Sequence, residues 1–80
     1  VTETCHIAGI VVQALPEHAA QVAARIAVRH GAEVHAVDGG KIVVVLEADS
    51  ERGLAQDMDE LRAEPHVLLV NLVYHEMETA

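Results

Sequence analysis

The chain has 80 residues, with 13 Asp and Glu against 5 Lys and Arg, a net charge of −8, one Cys, one Tyr, and neither Trp nor Phe. That length allows one domain with a thin core, burying roughly 60–65% of its unfolded surface. The charge excludes a general nucleic-acid binder, which wants a basic stripe and stacking aromatics. A single Cys excludes an internal disulfide framework.

Cys5 to Gln13 is rich in β-formers and predicts a first strand. Pro16 then suits a first helical turn, and Glu17 suits the positive end of the helix dipole. From Pro16 to about Arg29, Ala19, Val22, Ala23 and Ile26 recur at helical spacing. Arg25, Arg29 and His30 lie near the end where cations help, and Gly31 suits the position after the helix. Ala32 to Val37 predicts a second strand, Asp38-Gly39-Gly40 a tight turn, and Lys41 to Ala48 a third strand. Asp49 or Ser50 caps a second helix with Glu51 in its first turn and Leu54, Met58 and Leu61 on one stripe, ended by Pro65. His66 to His75 predicts the fourth strand, and the last five residues are expected to fray.

The order β-α-β-β-α-β, without linker or repeat, fits a single α+β domain with an ordered core of about residues 5–76. Two crossover helices and one hairpin suit the ferredoxin-like split β-α-β fold. Right-handed crossovers then give a four-stranded antiparallel sheet ordered 4-1-3-2 with both helices on one face.

An uncovered sheet side should be polar, yet these strands alternate poorly. Ala8, Ile10 and Val12, with Ile42, Val44 and Leu46 and with Leu68, Val70, Leu72 and Tyr74, are assigned to the helix side. The open side then receives Ile7, Gly9, Val11 and Gln13; Val43, Val45 and Glu47; and Val67, Leu69, Asn71, Val73 and His75. A one-residue register error would exchange the sets. In either register the open side is apolar at its centre, as a partner site is. A peptide partner and self-association through stacked sheets both fit. Gly9, mid-strand, reads either as room for a bound backbone or as a bulge or close strand packing.

The acidic residues Asp49, Glu51, Asp57, Asp59, Glu60, Glu64, Glu76 and Glu78 read as solvated faces. Together they make a negative field that speeds encounter with basic ligands. None of the six His forms an HxH or HExxH spacing, and none pairs with Cys in a CxxC or CxxH motif. Cys5 and His6, adjacent in a strand, point to opposite faces. No metal or other cofactor is expected. Nor is catalysis: Ser50 is the sole serine and reads as a cap, and Gly39-Gly40 joins strands rather than cradling phosphate. An acylphosphatase-like activity on this fold would need an Arg-bearing loop where this chain has Ala14-Leu15-Pro16-Glu17. Apolar runs of about five residues fall short of the ~20 that span a bilayer, so no membrane insertion is expected. No export signal is visible either, so a cytoplasmic location is expected.

The first-strand segment Ile10-Val11-Val12-Gln13-Ala14, the third-strand segment Ile42-Val43-Val44-Val45-Leu46-Glu47-Ala48, the ending Leu72-Val73-Tyr74-His75, and Gly31 after the first helix resemble the NapD family. The resemblance runs from about Cys5 to Glu76 and rests on these motifs occurring together in order. It implies a ferredoxin-like cytoplasmic chaperone for the catalytic subunit of periplasmic nitrate reductase. Such a chaperone binds that subunit's N-terminal twin-arginine signal peptide and delays Tat export until the molybdenum cofactor is inserted. The implied peptide-binding set is Ile7, Gly9, Val11, Gln13, Val43, Val45, Glu47, Leu69, Asn71, Val73 and His75. Gln13, Asn71 and His75 would offer hydrogen bonds, and Glu47 and Glu76 are the candidates for the guanidinium groups. A small-molecule regulatory domain of the ACT kind, acting through self-association, remains the alternative. The protein is expected to be a monomer or weak homodimer.

Overall fold

A computed structural model describes residues 4–79. The elements are β1 (Thr4–Ala14), a 3-10 turn (Pro16–His18), α1 (Ala19–Ala27), β2 (Ala32–Asp38), β3 (Lys41–Ala48), α2 (Glu51–Arg62) and β4 (Val67–Thr79). All neighbouring strands pair antiparallel in the order β2-β3-β1-β4, the expected 4-1-3-2 read from the other edge.

Local chemistry sets the boundaries. Pro16 opens a 3-10 turn, so the α-helix itself starts three residues later than its periodicity suggests. Ser50 caps α2: its Oγ accepts a hydrogen bond from the Gly53 N–H at 3.0 Å, satisfying one orphan donor of the first turn. The β2–β3 hairpin turns through Gly39 at φ 60°, while Gly40 has no positive φ. A glycine with positive φ at the first central position is the pattern of a type II′ turn, whose twist matches that of the flanking strands.

The core is one layer deep. Ala8, Ile10, Val12 and Ala14 of β1, Ile42, Val44 and Leu46 of β3, and Val70 of β4 pack against Val22, Ala23 and Ile26 of α1 and Leu54 and Leu61 of α2. With no Phe or Trp available, β-branched and leucine side chains fill it. Arg25 of α1 and Arg29 just beyond it reach across to Glu60 of α2 and to Glu64 just after α2, joining the C-terminal ends of the two helices. The Arg25–Glu64 contact is 3.1 Å, and Arg25 also donates to the Pro65 carbonyl at 3.2 Å.

β4 departs from expectation in three ways. Its pairing with β1 shifts twice, so that Val73 and Leu68 are extra residues opposite the Gly9/Ile10 and Gln13/Ala14 steps. Each extra residue reverses the alternation beyond it. Tyr74 therefore pairs with Gly9 on the open side, and His75 pairs with Ala8 on the helix side, the reverse of the expected assignment. Val67 packs against the core instead of facing outward, and Leu68 leaves the core for a hollow beside Gln13 and Lys41. The tail expected to fray also pairs: Glu76, Met77 and Glu78 oppose Ile7, His6 and Cys5. Backbone bonding to β1 holds them, because an edge strand can keep polar side chains wet. Ala80, also in that tail, lies outside the described residues.

Leu61 is fully buried between α2 and the sheet. Leu61→Ala should lower unfolding free energy by about 2–4 kcal/mol, measured by urea denaturation. Leu72→Ala, at a side chain 53% exposed, should cost less than half as much.

Candidate functional site

Two helices roof only one side of the sheet, and the other side carries apolar residues without cover. Val43, Leu69, Val73 and Tyr74 are each 39–64% exposed there, and Ile7, Val11 and Val45 are half-buried. A shallow hollow of ≈ 340 Å³ runs along the centre of this face. Gly9 and Val11 of β1, Val43 and Val45 of β3, and Val73 and Tyr74 of β4 line it, with His35 of β2 at the margin.

The register fixes the arrangement in rows, because directly opposed residues share a face. One row reads Glu33, Val45, Gly9, Tyr74, and the next Ala36, Val43, Val11, Asn71. At one end Lys41, Gln13 and Leu69 lie abreast. At the other, Ile7 sits between Glu47 of β3 and Glu76 of β4. These two carboxylate-bearing residues are two strand spacings apart, about 9–10 Å. One row further on, Glu78 opposes Cys5. Among the described residues no Lys, Arg or His forms an ion pair with Glu47, Glu76 or Glu78. Asp59 and Glu60 of α2, and Glu64 just after it, do have arginine partners. Uncompensated negative charge is thus concentrated at one end of an apolar floor.

Gly9 has a structural reason. A Cβ there would lie 2.1 Å from Cε1 of Tyr74, so the phenol ring covers the glycine. The space is filled by the chain's own sole aromatic residue rather than left for a bound backbone. The sequence signal was half visible: a mid-strand glycine invites an aromatic cross-strand neighbour. The bulge that delivers Tyr74 had no sequence mark.

Of the eleven residues named from the sequence, ten lie on the open face. His75 does not; the bulge at Val73 turns it beneath the sheet, beside His6 and α2. Its expected hydrogen bond to a ligand on the open face is therefore withdrawn. Tyr74 and His35 were missed. His35 is itself the extra residue of a bulge in β2. His6, His75 and Glu51, far apart in sequence, come together on the helix side.

Cys5 is half-buried at the acidic end. Desolvation first, then the carboxylates of Glu47, Glu78 and Asp49, push its thiol above the ordinary cysteine value.

Fold and face define a class: a ferredoxin-like domain with an unroofed apolar sheet and an acidic end. The chain belongs to the NapD family, which it matches over residues 5–79. It is 39% identical over 72 residues to the chaperone NapD of Paracoccus pantotrophus, covering 90% of this chain and 64% of that protein. Against the chaperone NapD of Escherichia coli strain K12 the identity is 34% over 74 residues, covering 90% of this chain and 85% of the relative. The solution structure of the E. coli Tat proofreading chaperone protein NapD superposes with a TM-score of 0.83 at 33% identity, covering 92% of this chain and 80% of that one. A transcriptional regulatory protein of the AsnC family from Pyrococcus furiosus shares the fold alone. It aligns with a TM-score of 0.66 at 17% identity, over 92% of this chain and 49% of its own. Both of these NapD relatives are named as chaperones. No helix among the described residues is long and apolar enough to cross a membrane.

Two outcomes check this geometry. Gly9→Ala should displace the Tyr74 ring rather than unfold the domain, raising the exposure of the only fluorophore of its kind, and Tyr74→Ala should relieve most of the cost. Tyrosine fluorescence of Gly9→Ala reads the ring's exposure, and urea titration followed by circular dichroism of both single variants and the double measures the cost and its relief. Glu47→Gln should lower the Cys5 thiol pKa, since a neighbouring negative charge that opposes thiolate formation is removed. The pH profile of Cys5 alkylation should accordingly move to lower pH.

Proposed function

We propose that the open sheet face holds the twin-arginine signal peptide of a periplasmic nitrate reductase catalytic subunit. The complex forms in the cytoplasm and delays Tat export until the molybdenum cofactor is in place. The observation that carries this reading is the apolar floor ending at Ile7 between Glu47 and Glu76. A twin-arginine leader carries two adjacent arginines followed by an apolar stretch, the same polarity in complementary chemistry. The fold similarity to a Tat proofreading chaperone supports the same ligand.

Laid on the face as a helix, the leader buries apolar side chains against Val11, Val43, Val45, Leu69, Val73 and Tyr74, a variant of helix-in-groove recognition. Half-burying five or six such contacts yields on the order of 4–8 kcal/mol gross, before the cost of ordering the peptide. The guanidinium groups then meet Glu47 and Glu76, where a planar fork can bind a carboxylate bidentately. Both carboxylates are exposed, so each pair adds only ~0–1 kcal/mol. They set the direction of the leader and the rate of encounter more than the affinity. Gln13 and Asn71 remain as hydrogen-bonding groups toward the opposite end.

Calorimetric titration with a leader peptide of the form S-R-R-x-F-L-K tests the reading. A saturable complex is expected, weakened when both arginines become Gln. Val45→Asp should cut affinity by roughly 100-fold or more, since a carboxylate would be buried against an apolar helix, with the circular dichroism unchanged. Glu47→Gln with Glu76→Gln should cost only a few fold and flatten the salt dependence. Normal binding by a folded Val45→Asp variant would place the leader elsewhere.

A further inference from the structure

The bulge that sends Tyr74 outward brings His75 under the sheet, where it meets His6. Among the described residues His6 is the only buried polar or charged side chain, 8% exposed. Its Nδ1 lies 3.1 Å from Nε2 of His75, and the two rings are stacked with centroids 5.3 Å apart and an interplanar angle of 27°. Glu51, the first residue of α2, completes the group. One ligand atom from each of the three residues lies within 4.8 Å of the other two.

We propose that His6, His75 and Glu51 form a binding site for a divalent first-row transition-metal ion, with zinc the foremost candidate. Two imidazole nitrogens and one carboxylate oxygen are the borderline donor set that zinc takes when one position is left open. A tetrahedral zinc with bonds of about 2.0–2.1 Å needs its donors roughly 3.3–3.4 Å apart. The histidine pair stands within a few tenths of an ångström of that spacing. Glu51 is exposed, and rotation about its side-chain torsions brings its carboxylate to the third corner. The fourth corner faces a hollow of ≈ 220 Å³ between α2 and β4, walled by Leu54, Met58 and Leu72, with room for a water or a small ligand.

Both histidines stand on strands, which fixes their spacing. His6 is bonded into the ladder between Ala48 and Met77, and His75 is paired with Ala8. Without an ion, the two facing nitrogens share a hydrogen bond, one ring donating its N–H to the other. With an ion, both facing nitrogens become ligands, and any proton between them leaves that position. The ion would tie the first turn of α2 to the β1–β4 ribbon from the roofed side, away from the open face.

Titration of the full chain with zinc chloride by calorimetry, and with cobalt(II) chloride by visible absorption, tests the proposal. One equivalent of zinc is expected, together with the d–d bands of four-coordinate cobalt. His75→Ala and Glu51→Gln alter exposed side chains and spare the core. Each should weaken zinc binding at least tenfold, and zinc should raise the melting temperature of the parent chain but not of His75→Ala. His30→Ala, outside the cluster, should bind as the parent does. Nitrogen-15 spectra of the imidazoles should place the ion on Nδ1 of His6 and Nε2 of His75. No uptake by the parent chain overturns the proposal. So does equal uptake by the parent and His75→Ala, which places the ion elsewhere on the chain.

Discussion

Two helices can roof one side of four strands and no more, and most of the molecule's behaviour descends from that constraint. The roofed side takes the small and branched residues that close-pack, from Ala8, Ile10 and Val12 through Ile42, Val44 and Leu46. The other side would ordinarily be polar. Here its central strands place Val11, Val43 and Val45 in a patch with Val73 and Tyr74. Exposure of that patch is a standing cost in water, and a partner that covers it recovers part of that cost.

Charge is distributed to match. Arg25 and Arg29 lie against Glu64 and Glu60, and Arg62 against Asp59, so the charges at the C-terminal ends of the helices are locally balanced. The excess left over includes Glu47, Glu76 and Glu78 near one end of the open face. A field of this shape orients a cationic ligand before contact, while the apolar floor supplies most of the affinity. Cys5 registers the same field through its thiol.

The strands that read well in the sequence were those with one residue per step. β1 and β3 pair without a shift from His6–Ala48 to Gln13–Lys41, so their period-two pattern assigned Ile7, Val11, Val43 and Val45 to the open face. The helices were legible from the spacing of Val22, Ala23 and Ile26 and from the Ser50 cap. β4 was not. Val67-Leu68-Leu69-Val70 is apolar on both sides, so its pattern carries no phase, and no glycine or proline marks Leu68 or Val73 as extra. Tyr74 and His75 were therefore exchanged between faces, and the meeting of His6, His75 and Glu51 was invisible to any count of residues between ligands. The family resemblance supplied the ligand class, which periodicity alone leaves open between a peptide and a second copy.

The spare residue at Val73 makes the far half of β4 a single mechanical unit. Were the pairing to slip by one residue and become regular, Val73 would oppose Gly9, the phenol would go inside and His75 would come out. Both changes would follow from the one pairing, so the position of the ring above Gly9 and that of the imidazole beside His6 are set by the same extra residue. Shortening the chain by Val73 alone would leave that pairing intact, whereas losing any neighbour between Tyr74 and Glu78 would force the ribbon to choose.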